Sequence, residues 1–280
     1  MNESRSRFRQ GLAAAVLAVT TVGSLVACGS DDEGSSGSSS DSPLVVGATP
    51  VPHAEILQFV IDEFDANIEI REFTDYNQPN QALVSGDIDA NYFQHQPFLD
   101  EFLAGNPDAD LVSVAAVHIE PLGVYSSRVD SLDDLPDGAT IGIPNDPSNS
   151  GRALALLAAE GLIELAEGAG TSATEQDIVS NPRNLSFEPL EAAQLPRSLE
   201  DLDAAVINGN YALEADLNPA EDALALESGE DNPYANLLVV NAEDADDPRV
   251  RELADLLTSP EVAEFIENEY SGSVLPVVAS

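Results

Sequence analysis

The sequence predicts an α/β protein built as two doubly wound lobes joined by two crossover segments, and three observations carry that expectation. Strand-like and helix-like runs alternate between Leu44 and Phe93. Residues 111–125 then stay extended through Pro121 and Gly123, too long and too interrupted for one central strand. Beyond Tyr125 the alternation starts again.

Leu44–Ala48 reads as a short apolar strand, and Thr49, Pro50, Val51 and Pro52 as an irregular link. Ile56, Leu57, Val60, Ile61 and Phe64 recur at helical spacing. Residues 68–73 alternate as a strand that ends at Thr74, Asp75, Tyr76 and Asn77, and a short helix is expected over Pro79–Val84. Gly86, Asp87 and Asp89 signal a turn, residues 90–93 a strand, and Pro97 opens a helix carrying Phe98, Leu99 and Phe102. This order leads to a parallel sheet. Residues 111–117 form the next strand, and the extended run after them crosses to the second lobe.

In that lobe a helical turn is expected at 131–135, a strand at 139–143, and a helix over 153–162 entered through Pro144-Asn145-Asp146-Pro147-Ser148-Asn149-Ser150-Gly151-Arg152. A strand at 185–187, a helical stretch at 195–202, a strand over Ala204–Ile207 ending in Asn208, and a helix near Tyr211 follow. The strand at 237–240, preceded by Tyr234, Ala235 and Asn236, returns the chain to the first lobe, and helices at 250–257 and 262–266 close it. The expected division is 44–122 with 237–280 for the first lobe and 123–236 for the second.

The first 27 residues read as a targeting segment, with Arg5, Arg7 and Arg9 ahead of a small, apolar run over 11–27. Cys28 ends it and is the sole cysteine, which excludes a disulfide within the chain. Leu25-Val26-Ala27-Cys28 resembles a bacterial lipobox, whose cysteine is acylated and becomes the mature first residue. A plain signal peptide and a single membrane anchor are the alternatives, the apolar run being at the short limit for a span. Residues 28–43, rich in Gly, Ser and Asp, form a tether that has too little apolar surface to fold.

Ten basic residues, all arginine, face 51 acidic ones, for a net charge of −41. That field excludes nucleic acid and anionic membrane surfaces as partners, and it describes a solvated acidic surface suited to high salt or a genome that replaces lysine.

Candidate site residues cluster at strand ends. In an open α/β sheet small ligands bind beyond the carboxyl ends of the strands, so Tyr76, Phe93 and His95 point at one crevice; an aromatic core cluster is the competing account. The segment Ser148-Asn149-Ser150-Gly151-Arg152 supplies an N-cap candidate, a small residue that allows close approach, and in Arg152 a guanidinium fork for a carboxylate near a helix start. The competing account is a surface arginine paired with one of many acids. Asn208 and Asn236 at strand ends are binding candidates or turn formers.

The segment Gly86-Asp87-Ile88-Asp89-Ala90-Asn91-Tyr92-Phe93-Gln94-His95-Gln96-Pro97-Phe98-Leu99 closely resembles a motif of the NlpA-type methionine-binding lipoproteins, solute-binding components of ABC importers. The resemblance continues, in order and at fitting spacing, through Pro144 to Pro147 with Gly151 and Arg152, Glu191 with Gln194 to Leu199, Ala205 to Asn208, and Pro233 to Leu237. It implies a type II periplasmic-binding-protein fold and a monomer, anchored by lipid to the outer face of the cell membrane. Its ligand would be methionine, the L form first, with D-methionine, another small apolar amino acid or a dipeptide as alternatives. The permease and ATPase subunits of an importer would be its partners, and no cofactor is implied. By the same resemblance Tyr76, Phe93, His95 and Phe98 wall the thioether pocket, Arg152 takes the carboxylate, and Asn208 and Asn236 hold the amino and carboxylate ends. Position 98 is tyrosine in many relatives and phenylalanine here.

Two rival classes make demands that the residues can be held to. An enzyme lacks a Gly-x-Ser-x-Gly elbow, a phosphate loop, any lysine and a spare cysteine, which leaves only a hydrolase built on His95 and a distant serine. A metal-binding lipoprotein would have to draw on His53, His95 and His118, which show no local ligand spacing, so no metal is expected.

Overall fold

The computed structural model describes residues 42–277. The expected targeting segment, Cys28 and all but the last two residues of the tether lie outside the described residues. From the amino end, β1 (Leu44–Ala48), α1 (Glu55–Phe64), β2 (Ile68–Glu72), α2 (Pro79–Val84), β3 (Ala90–His95), α3 (Gln96–Gly105) and β4 (Leu111–Ile119) follow in turn. Glu120, Pro121 and Leu122 then cross to β5 (Gly123–Tyr125), β6 (Thr140–Pro144), α4 (Pro147–Ala159), β7 (Glu164–Leu165), β8 (Ile178–Ser180) and β9 (Ser186–Leu190). After α5 (Leu195–Ser198), β10 (Ala204–Ile207), α6 (Gly209–Glu214), α7 (Pro219–Asp222) and β11 (Ala225–Leu226), the chain returns through β12 (Ala235–Asn241). It ends in α8 (Pro248–Leu257), α9 (Pro260–Tyr270) and β13 (Leu275–Pro276).

Two sheets result. The first has the order β13-β4-β12-β3-β1-β2 and the second β11-β5-β10-β6-β9, with β7 and β8 paired apart. The parallel sheet expected in the first lobe is mixed instead. β1 is parallel to β2 and β3, but β12 is antiparallel to both β3 and β4, because it enters this sheet from the second one and so runs the opposite way.

Each sheet is covered on both faces, and the alternation along its strands decides what meets what. Val46 and Ala48 of β1, with Leu238 and Val240 of β12, pack under α1, α8 and α9 against Ile56, Leu57, Val60, Val250, Leu253 and Ile266. The intervening Val45, Leu237 and Val239 face α2 and α3 through Leu83 and Leu99. In the second sheet Ile141, Ile143 and Val206 meet Leu154 and Leu157 of α4, while Ala205 and Ile207 meet Leu195 and Tyr211. Burying each such Leu, Ile or Val contributes about 1.5–3 kcal/mol.

Three boundaries differ from the sequence pattern in ways that move the site. β3 runs on through Gln94 and His95, because Asn236 and Leu237 of β12 pair with them. Asn236 accordingly lies inside β12 rather than ahead of it. The helix expected from Ala153 begins at Pro147, with Asp146 as its N-cap, so Arg152 stands in its second turn and not beside its N-terminus. Gly151 is needed there: a Cβ would come 2.5 Å from the Thr171 carbonyl oxygen.

Candidate functional site

Tyr76, Phe93, His95, Phe98, Arg152, Asn208 and Asn236 line one narrow cavity of about 20 Å³, together with Gln94, Glu120, Asn149 and Gly209. β3 and β12 of the first sheet supply one side, and α4 with the β10–α6 turn of the second supplies the other. Tyr76 and Phe98 also line a wider adjoining cavity of about 320 Å³, whose wall carries Asp75, Glu101, Asp146 and Glu191.

The aromatic wall is mutually packed. The Tyr76 ring centroid lies 6.0 Å from Phe93 and 5.8 Å from Phe98, and Phe93 and Phe98 meet edge to face at 5.8 Å. Tyr76 donates its hydroxyl to Asn210 Oδ1 at 2.5 Å, bridging the lobes.

His95 does two tasks with its two ring nitrogens. Nδ1 accepts from the Phe98 N–H and caps α3, which leaves Nε2–H to donate to Asn149 Oδ1 at 3.1 Å across the cleft. Asn208 donates to the same Asn149 oxygen at 2.9 Å. Burial and the nearby Arg152 charge push the His95 imidazole down to about 3, so the ring is neutral.

Arg152 is 3% exposed, and it is already a fork for a protein carboxylate. Nε and Nη2 face Glu227 at 3.1 and 2.5 Å, Nη2 also donates to the Glu120 carbonyl oxygen, and the guanidinium lies 4.2 Å over the Tyr234 ring. Arg152 lines the cavity as the sequence suggests, and it also pairs with an acid, but as a buried residue and not as the surface arginine of the competing account. The planar edge expected for a ligand is taken, and Nη1 is the nitrogen with no protein partner among the described residues.

Glu120, Glu227, Asn149 and Asn210 had no signal in the sequence. Glu120 sits in the crossover, 5% exposed. Its Oε1 accepts from His118 Nε2 at 2.9 Å and from His53 Nε2 at 3.2 Å, and its Oε2 accepts from the Asn210 N–H at 2.8 Å. His53 Nε2 also meets Asn236 Oδ1 at 3.0 Å. Thr49 bonds the Nδ1 of His53, and the Tyr92 hydroxyl that of His118, so both rings are hydrogen-bonded at both ends. Burial lowers His53 to about 4 and His118 to about 3.

His53, His118 and Glu120 thus bring three ligand-type atoms within 4.8 Å of one another, and they are the one such group among the described residues. His95 is not part of it. His53 Nε2 and His118 Nε2 both bond Glu120 Oε1, and His53 Nε2 also meets Asn236, so the group forms a buried hydrogen-bond network.

A cleft between two α/β lobes, walled by aromatic rings on one side and by amide, guanidinium and carboxylate groups on the other, defines a two-lobed solute-binding protein. The family model described as NlpA lipoprotein matches residues 44–278, and the chain belongs to that family. It is 41% identical over 267 residues to the methionine-binding lipoprotein MetQ of Bacillus subtilis, covering 93% of this chain and 96% of that one. To the D-methionine-binding lipoprotein MetQ of Escherichia coli K12 it is 41% identical over 254 residues, covering 90% and 92%. Among solved structures, a nutrient-binding protein from Burkholderia cenocepacia bound to methionine superposes with a TM-score of 0.79 at 49% identity, covering 83% of this chain and 99% of that one.

Proposed function

We propose that this protein captures methionine, in its L form, in the cleft between its lobes and delivers it to the permease and ATPase of an ABC importer. The observation that carries the reading is the single cavity shared by the Tyr76, Phe93 and Phe98 rings and by Arg152, Asn208 and Asn236. Aromatic faces and edges suit a polarizable thioether, at roughly 0.3–1.5 kcal/mol per contact. Arg152 Nη1 and Asn236 serve the carboxylate end, and Asn208 the amino end. We place the lobe boundaries at 122/123 and 236/237; the change from one sheet to the other between β4 and β5 supports the first, while β12 of the first sheet already begins at Ala235, two residues ahead of the second, and a cleft between such lobes is a domain interface, where small-molecule sites favour forming. Mass spectrometry of ligand released from the denatured, freshly purified protein should detect methionine; a different solute, in stoichiometric amount, would replace it in this assignment.

In this reading the protein binds and does not catalyse. Both His95 nitrogens are engaged by Phe98 and Asn149, and no hydroxyl bonds that ring among the described residues. Anchorage is through a lipid on Cys28, with residues 1–27 removed. No described helix is long and apolar enough to cross a membrane. Cys28→Ser should leave the protein unprocessed or released, and a cleaved, membrane-bound variant on fractionation would remove the anchor.

A further inference from the structure

We infer that His53, His118 and Glu120 form a site for one transition-metal ion of the zinc class, set in the first lobe where the chain crosses to the second. The assignment is independent of which solute the cleft takes.

The chain has three histidines, and folding brings two of them, 65 positions apart, to a ring-centroid distance of 5.0 Å beside a buried carboxylate. His53 Nε2 and His118 Nε2 lie 3.2 and 2.9 Å from one atom, Glu120 Oε1, and the three ligand-type atoms all fall within 4.8 Å of one another. Donors held at about 2.0–2.2 Å around a tetrahedral zinc ion stand about 3.3 Å apart, so those two contacts need open by only a few tenths of an ångström to admit it. Asn236 Oδ1, 3.0 Å from His53 Nε2, is the next donor, and Asn236 and Glu120 both reach the inner cavity, which gives an ion its way in.

Both rings are oriented from behind, as ligating imidazoles are. Thr49 Oγ1 lies 2.6 Å from His53 Nδ1 and the Tyr92 hydroxyl bonds His118 Nδ1, which turns each Nε2 toward Glu120. Burial keeps the rings neutral, the form that binds metal. When the ion enters, each ring keeps its proton but carries it on Nδ1 instead of Nε2, and the hydroxyl behind it changes from donor to acceptor. Charge points the same way. The Glu120 carboxylate meets only the two rings and the Asn210 N–H, with no arginine side chain paired to it, and a divalent ion supplies the missing positive charge. Two imidazole nitrogens with one carboxylate select a transition ion over magnesium or calcium, which take oxygen ligands. The role assigned is structural: the ion would tie Glu120 of the crossover to His53 ahead of α1 and His118 of β4.

Titration of the purified full chain with zinc chloride, in about 1 M sodium chloride so that a Debye length of about 3 Å screens the acidic surface, tests this. One zinc per chain should bind with a Kd of about 1 μM or tighter, magnesium and calcium about 100-fold or more weakly, and Tm should rise by about 5–10 °C at 100 times Kd and fall back on adding EDTA. Long-range proton–nitrogen spectra of the imidazole rings read the site without any variant: zinc should move the ring nitrogens of His53 and His118 and leave those of His95 in place. His118→Gln should weaken zinc binding by about 100-fold or more, a loss of about 2.7 kcal/mol. No saturable one-to-one zinc binding, magnesium binding as tight as zinc, or zinc shifts absent from His53 and His118 would each overturn the inference, as would a folded His118→Gln that binds zinc within threefold of the parent. If that variant does not fold, the ring-nitrogen spectra of the parent decide.

Discussion

Arg152→Ala is expected to weaken L-methionine binding by about 2–5 kcal/mol, roughly 30-fold to several thousand-fold, measured by calorimetric titration. Removing the guanidinium leaves the ligand carboxylate near Glu227 in a largely buried site, so two like charges meet where one cation stood between them. Arg152→Lys should recover only part of the loss, because an ammonium cannot hold Glu227 by a fork, reach the Glu120 carbonyl and stack on Tyr234 at once. Arg251→Ala is the control, since Arg251 pairs with Asp246 on the exposed surface. Arg183 is less suitable: it donates to the carbonyls of Leu132, Asp133 and Leu135 and so holds a turn of the second lobe. Binding by a folded Arg152→Ala variant within threefold of the parent would mean that Arg152 is not the anchor.

The second large effect is on stability in acid, isolated by His95→Gln. His95 falls from an ordinary 6.5 to about 3 in the folded protein, through burial and the Arg152 charge, and it touches no carboxylate. The unfolded chain gains a proton below about pH 6.5 that the folded chain refuses, so this residue's contribution is whole above that pH and is lost as pH falls toward 3. By pH 5 the loss is about 2 kcal/mol, at about 1.4 kcal/mol per unit. Glutamine cannot titrate. The stability of parent minus variant, from urea unfolding, should therefore shift by about 2 kcal/mol toward the variant between pH 7.5 and pH 5, whatever the carboxylates contribute to both. A difference that stays constant with pH would show that the imidazole is not held neutral.

The elements legible in the sequence are those whose signals are local. Pro79–Val84 and Ala204–Ile207 have the bounds that their own residues suggest, and the seven candidate site residues share a cavity because strand ends in this topology converge. α4 was harder, since Ser148, Asn149, Ser150 and Gly151 are poor helix formers and hide the stronger start signal of Asp146 and Pro147. The short strands β11 and β13 exist only through partners, β5 and β4, that lie far away in the chain. Glu120 illustrates the limit most sharply. Its surroundings are set by His53, 67 positions back, and by Asn210, 90 positions ahead, and nothing in the neighbouring Pro121 or Ile119 reports them. The histidine spacing that argued against a cluster was equally silent, because tertiary folding brings the His53 and His118 ring centroids to 5.0 Å and leaves His95 to another task.

Hydrogen bonds link the lobes across the cleft, Tyr76 to Asn210, His95 to Asn149, Glu101 to the Ser148 N–H, and Tyr211 to the Thr74 carbonyl oxygen, beside ring contacts such as Tyr76 with Tyr211 at 4.9 Å. Each such bond is worth about 0.5–1.5 kcal/mol net, and water can replace either partner as the lobes part. The apolar clusters, by contrast, are covered mainly by helices of their own sheet, with Leu213 packed against the first sheet's cluster and Tyr76 against the second's as side chains that cross. In the proposed role, a receiving protein that grips the lobes separately would work mainly against exchangeable hydrogen bonds and a few side-chain contacts, leaving the helix-covered core of each lobe intact for another round.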